Sequence, residues 1–515
     1  MSNQVGLLAV TVSLIGGIFW AARSFSSFRT VIKLIPGPEC SSWVYGNMPE
    51  LLLAEEYGLH EYQWQETYGQ VYSIKGCLGE TRLMISDPSA IKYILNSGLF
   101  VLGPSHQKIT KLLLGHGNIL LARGDAQRRL VNIMNPCFSS NKIRTLLPAI
   151  REGAQQLVDR WESLGFPGNT VDISGTLNDA ALDVLGSAIL EYSFNSLVGE
   201  SELARIQRNM VQSVSTPTRF QQLLDAALGY IPDPIFRLAC HLPIPTMRMI
   251  RDYKRATEEF SLHLAAQKRE EMGSGMAPGF VGAFVGDGGA PDQEIGVHVR
   301  TILAAGQDAL GVTLGWILYK LAQMPVLQQE LREEIQLATV EHQLDYNKMA
   351  LLNAIINEVL RVYSPLPLAE RVASADCVLP LSKPIVAAAG IEISEIPIQK
   401  GQFFYVAIAA YHRLTSIWGP DAAEFRPSRW LGNAPCMGPA LGPHASLLSF
   451  FGGPGVCLGW RFAILELQVV VVELVSRFVL SLPENDSVKP RVALALRAET
   501  AHGTRELPVH IEHVM

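Results

Sequence analysis

Near its C-terminus the chain reads Phe450-Phe451-Gly452-Gly453-Pro454-Gly455-Val456-Cys457-Leu458-Gly459-Trp460-Arg461, and this segment is the most informative in the sequence. Its glycines allow backbone angles and close approaches that side chains would prevent, and its proline stiffens the turn. An apolar helix is predicted over residues 459–479, so Cys457 lies just before the first helical turn. Backbone N–H groups there can hydrogen-bond a thiolate and stabilise its charge. A thiolate held in this way is suited to be the axial ligand of a haem iron.

The spacing around Cys457 separates this interpretation from the alternative of a buried structural cysteine, the default for an isolated cysteine. Phe450 lies seven residues before it, Gly453 four before and Gly459 two after. This pattern resembles the haem-binding signature of the cytochrome P450 family, and the resemblance extends over nearly the whole chain. It implies a haem b cofactor with Cys457 as the iron ligand. One position departs from the family pattern, because Gly455 stands where an arginine or histidine usually faces a haem propionate.

A long apolar helix predicted over residues 293–323 contains the segment Ala304-Ala305-Gly306-Gln307-Asp308-Ala309. Glycine and aspartate are poor helix formers, and an acid inside an apolar helix is costly unless it is used. The segment resembles the oxygen-binding kink of the P450 family, which implies catalytic positions at Gly306, Asp308 and Ala309. Ala309 replaces the usual threonine, and Thr313, one turn later, is expected to lie too far away to substitute for it. A tolerated buried acid is the alternative.

Glu358 and Arg361 are three residues apart on a helix predicted over residues 351–363, and therefore share one face. Alone, such a pair is usually a surface ion pair of little energetic weight. In this position it resembles the Glu-x-x-Arg pair of the family, with Arg429 as the third member. The resemblance implies a structural network, built on bidentate arginine–carboxylate contacts, that holds the cysteine loop for haem binding.

The haem propionates need positively charged partners elsewhere in the chain. Arg371 falls where the family places a propionate-binding arginine on a strand edge. The family also uses an aromatic residue or histidine and an arginine four residues later, but Gln127 and Val131 occupy those positions here. Arg128 or Arg129, one helical step displaced, is a substitute by the same resemblance. A solvated basic pair is the alternative for these two arginines.

The N-terminal residues 5–22 carry no charge and are mostly apolar. As a helix they would span about 27 Å, close to the hydrocarbon thickness of a bilayer. Basic residues follow this run and none precedes it, which places the C-terminal body in the cytosol. A cleaved signal peptide is the alternative, but the uncharged start and the absence of a clear cleavage site argue against it. Pro36-Gly37-Pro38 resembles the hinge of membrane-bound P450 proteins, which implies a single-pass protein of the endoplasmic reticulum membrane.

Composition excludes several classes of protein. The net charge of −6 and a pI near 6.1 give no indication of nucleic-acid binding. The 48% hydrophobic content supports a large core. Seven scattered cysteines without a CxxC pair indicate neither a zinc site nor a disulfide framework, and they fit a reducing compartment.

Local patterns outside these motifs give a coarse outline of the chain. Residues 61–68 and 87–95 are predicted helices, the second capped by Asp87. Further predictions are a hairpin of strands 71–74 and 82–85 that forms a first small sheet, a loop at 100–121, a helix at 124–138, mostly helix at 140–270, a flexible glycine-rich loop at 273–289, and short strands at 378–407 and 494–511 that form a second, C-terminal sheet region.

Together these features predict a mostly α (α+β) fold of the cytochrome P450 type, with a helical haem-binding body, small β-sheet regions and an N-terminal transmembrane helix. The expected organisation is a membrane anchor at 1–33, a proline-rich hinge at 34–38 and a catalytic domain at 39–515. The family resemblance implies a monooxygenase that inserts one oxygen atom from dioxygen into a lipophilic small molecule. Its electrons would come from NADPH through a separate NADPH–cytochrome P450 reductase, since the chain shows no flavin or nicotinamide domain.

The sequence is most similar in style to fungal microsomal P450 proteins that modify secondary metabolites, which suggests a terpenoid substrate. Two alternatives remain at this stage. One is a haem-thiolate isomerase or dehydratase that needs neither dioxygen nor a reductase, which the missing threonine at Ala309 favours. The other is a non-enzymatic haem-binding protein, which Asp308 in the kink argues against.

Overall fold

The computed structural model describes residues 31–199, 201–214, 218–242, 244–273, 279–286, 289–340, 344–387, 390–432, 437–483, 488–493 and 495–514. The predicted transmembrane segment at 5–22 lies outside the described residues. Within them, Asp292–Gln323 alone is long and apolar enough to cross a membrane, and the apolar window of this stretch is 67% buried, as in the core helix of a globular protein.

The described chain is mostly helical, which confirms the predicted fold class. The helices of the first half are α1 Met48–Leu52, α2 Leu59–Tyr68, α3 Pro88–Asn96, α4 Pro104–Leu113, α5 Gly124–Met134, α6 Ser140–Thr145, α7 Leu147–Ser163, α8 Ser174–Leu185, α9 Glu202–Val214, α10 Arg219–Leu228 and α11 Asp233–Ala239. Those of the second half are α12 Pro245–Gly273, α13 Phe280–Gly286, α14 Asp292–Gly306, α15 Asp308–Gln323, α16 Pro325–Val340, α17 Ala350–Val362, α18 Ile408–Tyr411, α19 Thr415–Trp418 and α20 Trp460–Arg477.

The strands form small sheets at the periphery of the helical body. They are β1 Val71–Lys75, β2 Thr81–Ile85, β3 Phe100–Val101, β4 Asn169–Asp172, β5 Leu368–Ala373, β6 Cys377–Val386, β7 Glu392–Ile398, β8 Phe403–Ala407, β9 Phe478–Ser481, β10 Val488–Val492, β11 Leu496–Thr500 and β12 Pro508–His513. Within the described residues the largest sheet has the order β1-β2-β8-β5-β3, and the others are β6-β7, β4-β12-β9 and β10-β11.

The predicted division into a first and a second sheet region is wrong for the largest sheet. The β1–β2 hairpin forms as expected, but β2 pairs in parallel with β8, with Arg82 opposite Phe403. Strands from both ends of the catalytic region therefore share one sheet. The β10–β11 hairpin lies in the C-terminal region, as predicted, whereas the β4-β12-β9 sheet pairs C-terminal β12 with β4 from the first half of the chain.

Two predicted loops contain helices instead. The 100–121 segment includes β3 and α4, a ten-residue helix that begins at Pro104 and has no fully buried side chain. The 273–289 segment includes α13, whose Phe280 and Phe284 are buried. The helix at 87–95 is confirmed, because the Asp87 side chain accepts a hydrogen bond from the Ala90 N–H at 2.9 Å.

The core is organised around α14 and α15, the two parts of the predicted long helix. Helix α14 ends at Gly306 and α15 begins at Asp308, so the break falls where the sequence has its poorest helix formers. A Cβ at Gly306 would lie 2.8 Å from Leu185 Cδ1 on α8, so only glycine allows this approach. Helix α15 packs against α8 and α20, which places the break in the middle of the body.

Candidate functional site

The Cys457 loop has a backbone that only glycine can adopt at critical positions. Gly453 has a φ of +60°, and a Cβ there would lie 2.2 Å from the carbonyl oxygen of Leu95. The loop closes when the Cys457 N–H donates to the Phe450 carbonyl at 3.0 Å. Helix α20 then begins directly after Gly459, as predicted.

The Cys457 thiol faces a space inside the protein. The residue is exposed, yet burial among protein atoms raises the thiol pKa, and a hydrogen bond from the Gly459 backbone partly opposes that rise. These two properties coexist when a side chain borders an interior space instead of bulk solvent. A metal that binds this sulfur would also supply the positive charge that favours the thiolate.

Glu358, Arg361 and Arg429 come together in a fully buried network, as predicted. Arg361 binds the carboxylate with both Nε and Nη2, at 2.8 and 2.7 Å, and Arg429 Nε lies 3.4 Å from Glu358 Oε1. Two further donors were not predicted, the Trp430 indole at 2.9 Å and the Arg426 backbone N–H at 2.7 Å. Burial alone would raise the pKa of Glu358, but the contacts with Arg361 and these donors hold it below its ordinary value.

His412 connects this network to the cysteine loop. Its Nε2 accepts a hydrogen bond from the Leu448 N–H at 2.9 Å, so its Nδ1 carries the proton and donates to the Arg361 carbonyl at 3.0 Å. Burial and the nearby Arg361 charge lower the pKa of His412 to about 3, which keeps the ring neutral. The Ser449 hydroxyl adds a second connection, because it donates a hydrogen bond to the Leu360 carbonyl at 2.6 Å. Helix α17 therefore holds both the network and the start of the loop.

The acid of the helix break, Asp308, forms a buried ion pair with Arg497 of β11. Burial raises the pKa of Asp308, and the charge of Arg497 opposes that rise. Within the described residues, Asp308 Oδ2 and Arg497 Nε have no hydrogen-bond partner. Sequence reasoning missed Arg497, because nothing local connects a C-terminal hairpin to the central helix.

Two small cavities lie beside Arg497, the ion-pair partner of Asp308. One, of about 30 Å³, is lined by Asn178, Trp316, Arg497 and Arg505, among others. A second, of about 60 Å³, shares Arg497 and Arg505 and reaches Glu499. Since one water needs roughly 10–15 Å³ of such volume, both can hold water molecules. Asp308 itself lines neither cavity, so Arg497 is the neighbour that the acid and both cavities share.

Ala309 and its neighbours have the small side chains that the sequence indicated. Ala305 is exposed and Ala304, Gly306 and Ala309 are half-buried, although the adjoining residues of α14 and α15 are buried. This face of the broken helix therefore borders an open space. The Thr313 hydroxyl donates to the Ala309 carbonyl at 2.7 Å, so it is already engaged within its own helix.

Two arginines without an acidic partner lie near each other at the edge of the site. Burial and the positive charge of Arg123 together lower the pKa of Arg371 to about 10. The Arg371 guanidinium stacks over the Phe451 ring, 4.6 Å from its centroid. The adjacent carboxylate of Glu370 is already bound by Arg82 and His106. No ion pair to a carboxylate is found for Arg371 or Arg123 in the part of the chain that the structure describes.

Arg129 has a different environment from the one predicted. It forms an ion pair with Glu294 of α14, while Arg128 pairs with Asp125 on the surface. Arg123, just before α5, is the arginine beside Arg371, and the sequence gave no motif for it. Gln127, at the family's aromatic position, donates to the Pro454 carbonyl at 2.8 Å and so ties α5 to the cysteine loop.

These residues fit a haem. Cys457 offers one soft sulfur ligand, the helix break offers small side chains beside an open space, and Arg123 and Arg371 offer two positive charges to two propionates. Among the described residues there is no cluster of three or more histidine, cysteine or acidic side chains that could hold a bare metal ion.

Comparison with known proteins agrees with this geometry. A family model described as Cytochrome P450 matches residues 35–501. The chain is 30% identical to Cytochrome P450 monooxygenase 205 of Postia placenta (strain ATCC 44394 / Madison 698-R), over 99% of this chain and 97% of that protein. It is 30% identical to Cytochrome P450 monooxygenase 91 of the same fungus, over 97% and 98% respectively. It is 27% identical to Cytochrome P450 monooxygenase claW of Ampulloclitocybe clavipes, over 90% and 91%.

Proposed function

The chain belongs to the cytochrome P450 family, and from that premise we propose that it is a haem-thiolate monooxygenase that inserts one oxygen atom from dioxygen into a lipophilic small molecule. The observation that carries the proposal is the Cys457 loop. Its glycine-dependent backbone, its anchoring to the Glu358 network and its inward-facing thiol all serve to present one sulfur atom to a bound group.

Each residue has a defined part in this proposal. Bound haem b supplies the activation of dioxygen and the transfer of one oxygen atom. Cys457 binds the iron as thiolate, and the Gly459 N–H stabilises its charge. Arg371 and Arg123 bind the propionates, with Phe451 holding the Arg371 guanidinium in place. Phe450, Gly453 and Gly459 shape the loop, and Glu358, Arg361 and Arg429 support it.

Proton transfer is proposed to run through Asp308. Its Oδ1 is held by Arg497, which leaves Oδ2 to exchange a proton with a water molecule. Gly306 permits the helix break, and Ala309 leaves space where the family usually has a hydroxyl. A water molecule or a hydroxyl group of the substrate would complete the path on that side.

Electrons are proposed to come from NADPH through a separate NADPH–cytochrome P450 reductase. Support comes from the sequence, which resembles no flavin- or nicotinamide-binding domain, and from the family to which the chain belongs. The substrate is proposed to be a lipophilic product of fungal secondary metabolism, with a terpenoid as the first class to test. Similarity to named monooxygenases of two fungi supports this direction.

We further propose a single-pass endoplasmic reticulum protein, with residues 1–33 as anchor, 34–38 as hinge and 39–515 as a cytosolic catalytic domain. A surface near the N-terminal side supports contact with the bilayer. Phe220 of α10, Ile235 and Leu238 of α11, and Trp43 are 58–72% exposed, an unusual number of large apolar side chains for a water-facing surface. Helix α10 packs near the start of the described chain, since Gln222 donates to the Met48 carbonyl.

The first experiment measures the reduced, carbon monoxide-bound spectrum of the purified protein. A thiolate-ligated haem gives a strongly red-shifted Soret band, and Cys457→Ala is expected to lose it. A second experiment profiles metabolites after co-expression with a reductase under labelled dioxygen. Product that carries the label supports the monooxygenase, whereas product formed without label and without NADPH consumption identifies the isomerase or dehydratase that Ala309 favours.

A further inference from the structure

A buried arginine, Arg300, lies in α14 without a carboxylate partner. Its side chain is 6% exposed, and no ion pair is found for it within the described residues. Its Nε donates to the Leu114 carbonyl at 3.2 Å, whereas its Nη1 is buried without any hydrogen-bond partner. A buried positive charge is costly unless an anion or several acceptors compensate it. Glu258 attracts the guanidinium from a distance but forms no ion pair with it, so direct contact with the charge is limited to the Leu114 carbonyl.

Tyr253 of α12 lies beside Arg300 and supplies a second donor. Each group shifts the pKa of the other, and the tyrosine hydroxyl has no hydrogen-bond partner within the described residues. Glycine stands on both sides of the guanidinium: a Cβ at Gly115 would lie 3.2 Å from Nη2, and one at Gly296 would lie 3.6 Å from Nη1. The two glycines therefore leave backbone beside both Nη atoms, with the Ser261 side chain close to the position at Gly296.

The surroundings of this pair are apolar. Tyr253 belongs to a cluster with Met210 of α9 and Ile250 of α12, and the partly buried members of the cluster include side chains of α4. A mostly apolar wall with a few convergent polar groups is the usual composition of a small-molecule site. Arg300 also lies four residues before Ala304, on the same face of α14 and about 6 Å along the helix axis. Ala304 is half-buried and belongs to the small side chains that border the open space at the helix break.

We propose that Arg300 and Tyr253 form the polar end of the substrate pocket and bind a carboxylate group on an otherwise lipophilic substrate. This proposal rests on the proposed monooxygenase function and names its substrate class. The two Nη atoms of an arginine match the two oxygens of a carboxylate, and a tyrosine hydroxyl adds one further donor. One positive charge suits one negative charge, so a doubly charged phosphate would remain uncompensated. With its carboxylate held at Arg300, the substrate would be oxidised at a carbon remote from that group.

The test uses the haem-loaded protein and three probe pairs: octanoic, dodecanoic and hexadecanoic acid, each against its methyl ester. Dissociation constants are measured by calorimetry at neutral pH, where the acids are ionised. We expect at least one acid to bind the wild-type protein about tenfold more tightly than its ester. Arg300→Gln should abolish this preference, and Tyr253→Phe should reduce it about three- to tenfold.

Arg255→Gln is the matched control, because Arg255 is a largely exposed arginine on the same helix as Tyr253. It should leave all dissociation constants unchanged. The wild-type comparison needs no variant, so the proposal is overturned if no acid binds the wild-type protein more tightly than its ester. It is equally overturned if the preference persists in Arg300→Gln, or if acid and ester both depend on Arg300 to the same degree. The carbon monoxide spectrum tests the monooxygenase proposal independently of these outcomes.

Discussion

Ala309 leaves a position in the helix break without a hydroxyl group, and its replacement is the first prediction at the scale of single residues. The position is half-buried beside an open space, and the hydroxyl of Thr313, one turn later, is engaged with the Ala309 carbonyl. We expect Ala309→Thr to keep product formation and to raise the amount of product per NADPH consumed, because threonine can hold a water beside Asp308. Both quantities are measured in the reductase-coupled reaction. Ala309→Val, of similar shape but without the hydroxyl, is the control, and an equal gain in that variant would contradict the prediction.

Glu61 of α2 gives a prediction for pH dependence. Burial raises its pKa to about 7, although the Tyr57 hydroxyl donates to its carboxylate and Arg413 attracts it. The folded state therefore binds the Glu61 proton more tightly than the unfolded state, whose pKa is near 4.5. It follows that the free energy of unfolding decreases as the pH rises from about 4.5 to about 7, by roughly 3 kcal/mol from this group.

Glu61→Gln removes this titration and keeps an acceptor for Tyr57. We expect its melting temperature to exceed that of the wild-type protein at pH 8 and to approach it near pH 5. Thermal unfolding of both proteins at the two pH values measures the difference. A difference that is the same at both pH values would mean that Glu61 does not titrate in this range.

At the scale of elements, the β10–β11 hairpin and helix α15 are joined by the Arg497–Asp308 ion pair. Arg497→Gln would leave the Asp308 carboxylate buried with less compensation, so its pKa, already raised by burial, should rise further. A raised carboxyl pKa lowers stability as the pH increases. The variant should therefore lose more melting temperature at pH 8 than at pH 5. In the double variant that also carries Asp308→Asn, the additional loss of melting temperature at pH 8 should disappear. If that loss persists, the ionisation of Asp308 is not its cause.

Helix α17 is predicted to be necessary for haem retention through Glu358. Glu358→Ala leaves Arg361 buried without its carboxylate and removes one of the two carboxylates that Arg429 contacts, the other being Asp421. This costs roughly 3–5 kcal/mol. We expect poor expression and a low ratio of haem to protein, measured by absorbance and by thermal unfolding. Glu259→Ala is the matched control, because it removes an exposed ion pair with Arg255 and should cost under about 1 kcal/mol. Full haem content in Glu358→Ala would refute the structural role.

Elements also show what the sequence could reveal and what it could not. The cysteine loop and the Glu358–Arg361 pair are local patterns, so their residues were found from spacing together with resemblance to the P450 family. Arg123, Arg497 and His412 act through partners that lie far away in the chain, and no local pattern marks them. Helix α4, which has no fully buried side chain, was assigned to a loop by the same resemblance. Prediction therefore succeeded where the chemistry is contiguous in the chain and failed where tertiary contacts create it.

At the scale of the whole molecule, the proposed anchor would determine whether the protein partitions into the membrane or the soluble fraction. Deletion of residues 1–33 should move much of the protein to the soluble fraction, while the full-length protein should resist carbonate extraction. Some residual binding of the shortened protein to vesicles is expected from Phe220 and Leu238. Phe220→Ser with Leu238→Ser in the shortened protein should reduce it. Release of the full-length protein by carbonate would contradict a spanning helix.

The parallel pairing of β2 with β8 has a consequence for how the chain is made. Gln402 next to β8 donates to the Thr81 carbonyl of β2, and these residues are 321 positions apart. During synthesis on the ribosome the β1–β2 hairpin emerges early. The edge of β2 that pairs with β8 then stays unpaired for roughly 15–60 s, at a synthesis rate of about 5–20 residues per second. An unpaired strand edge is a template for association with other chains. The nascent protein therefore passes through a long interval in which the unpaired edge of β2 is exposed, and this edge is the part that a chaperone would need to cover.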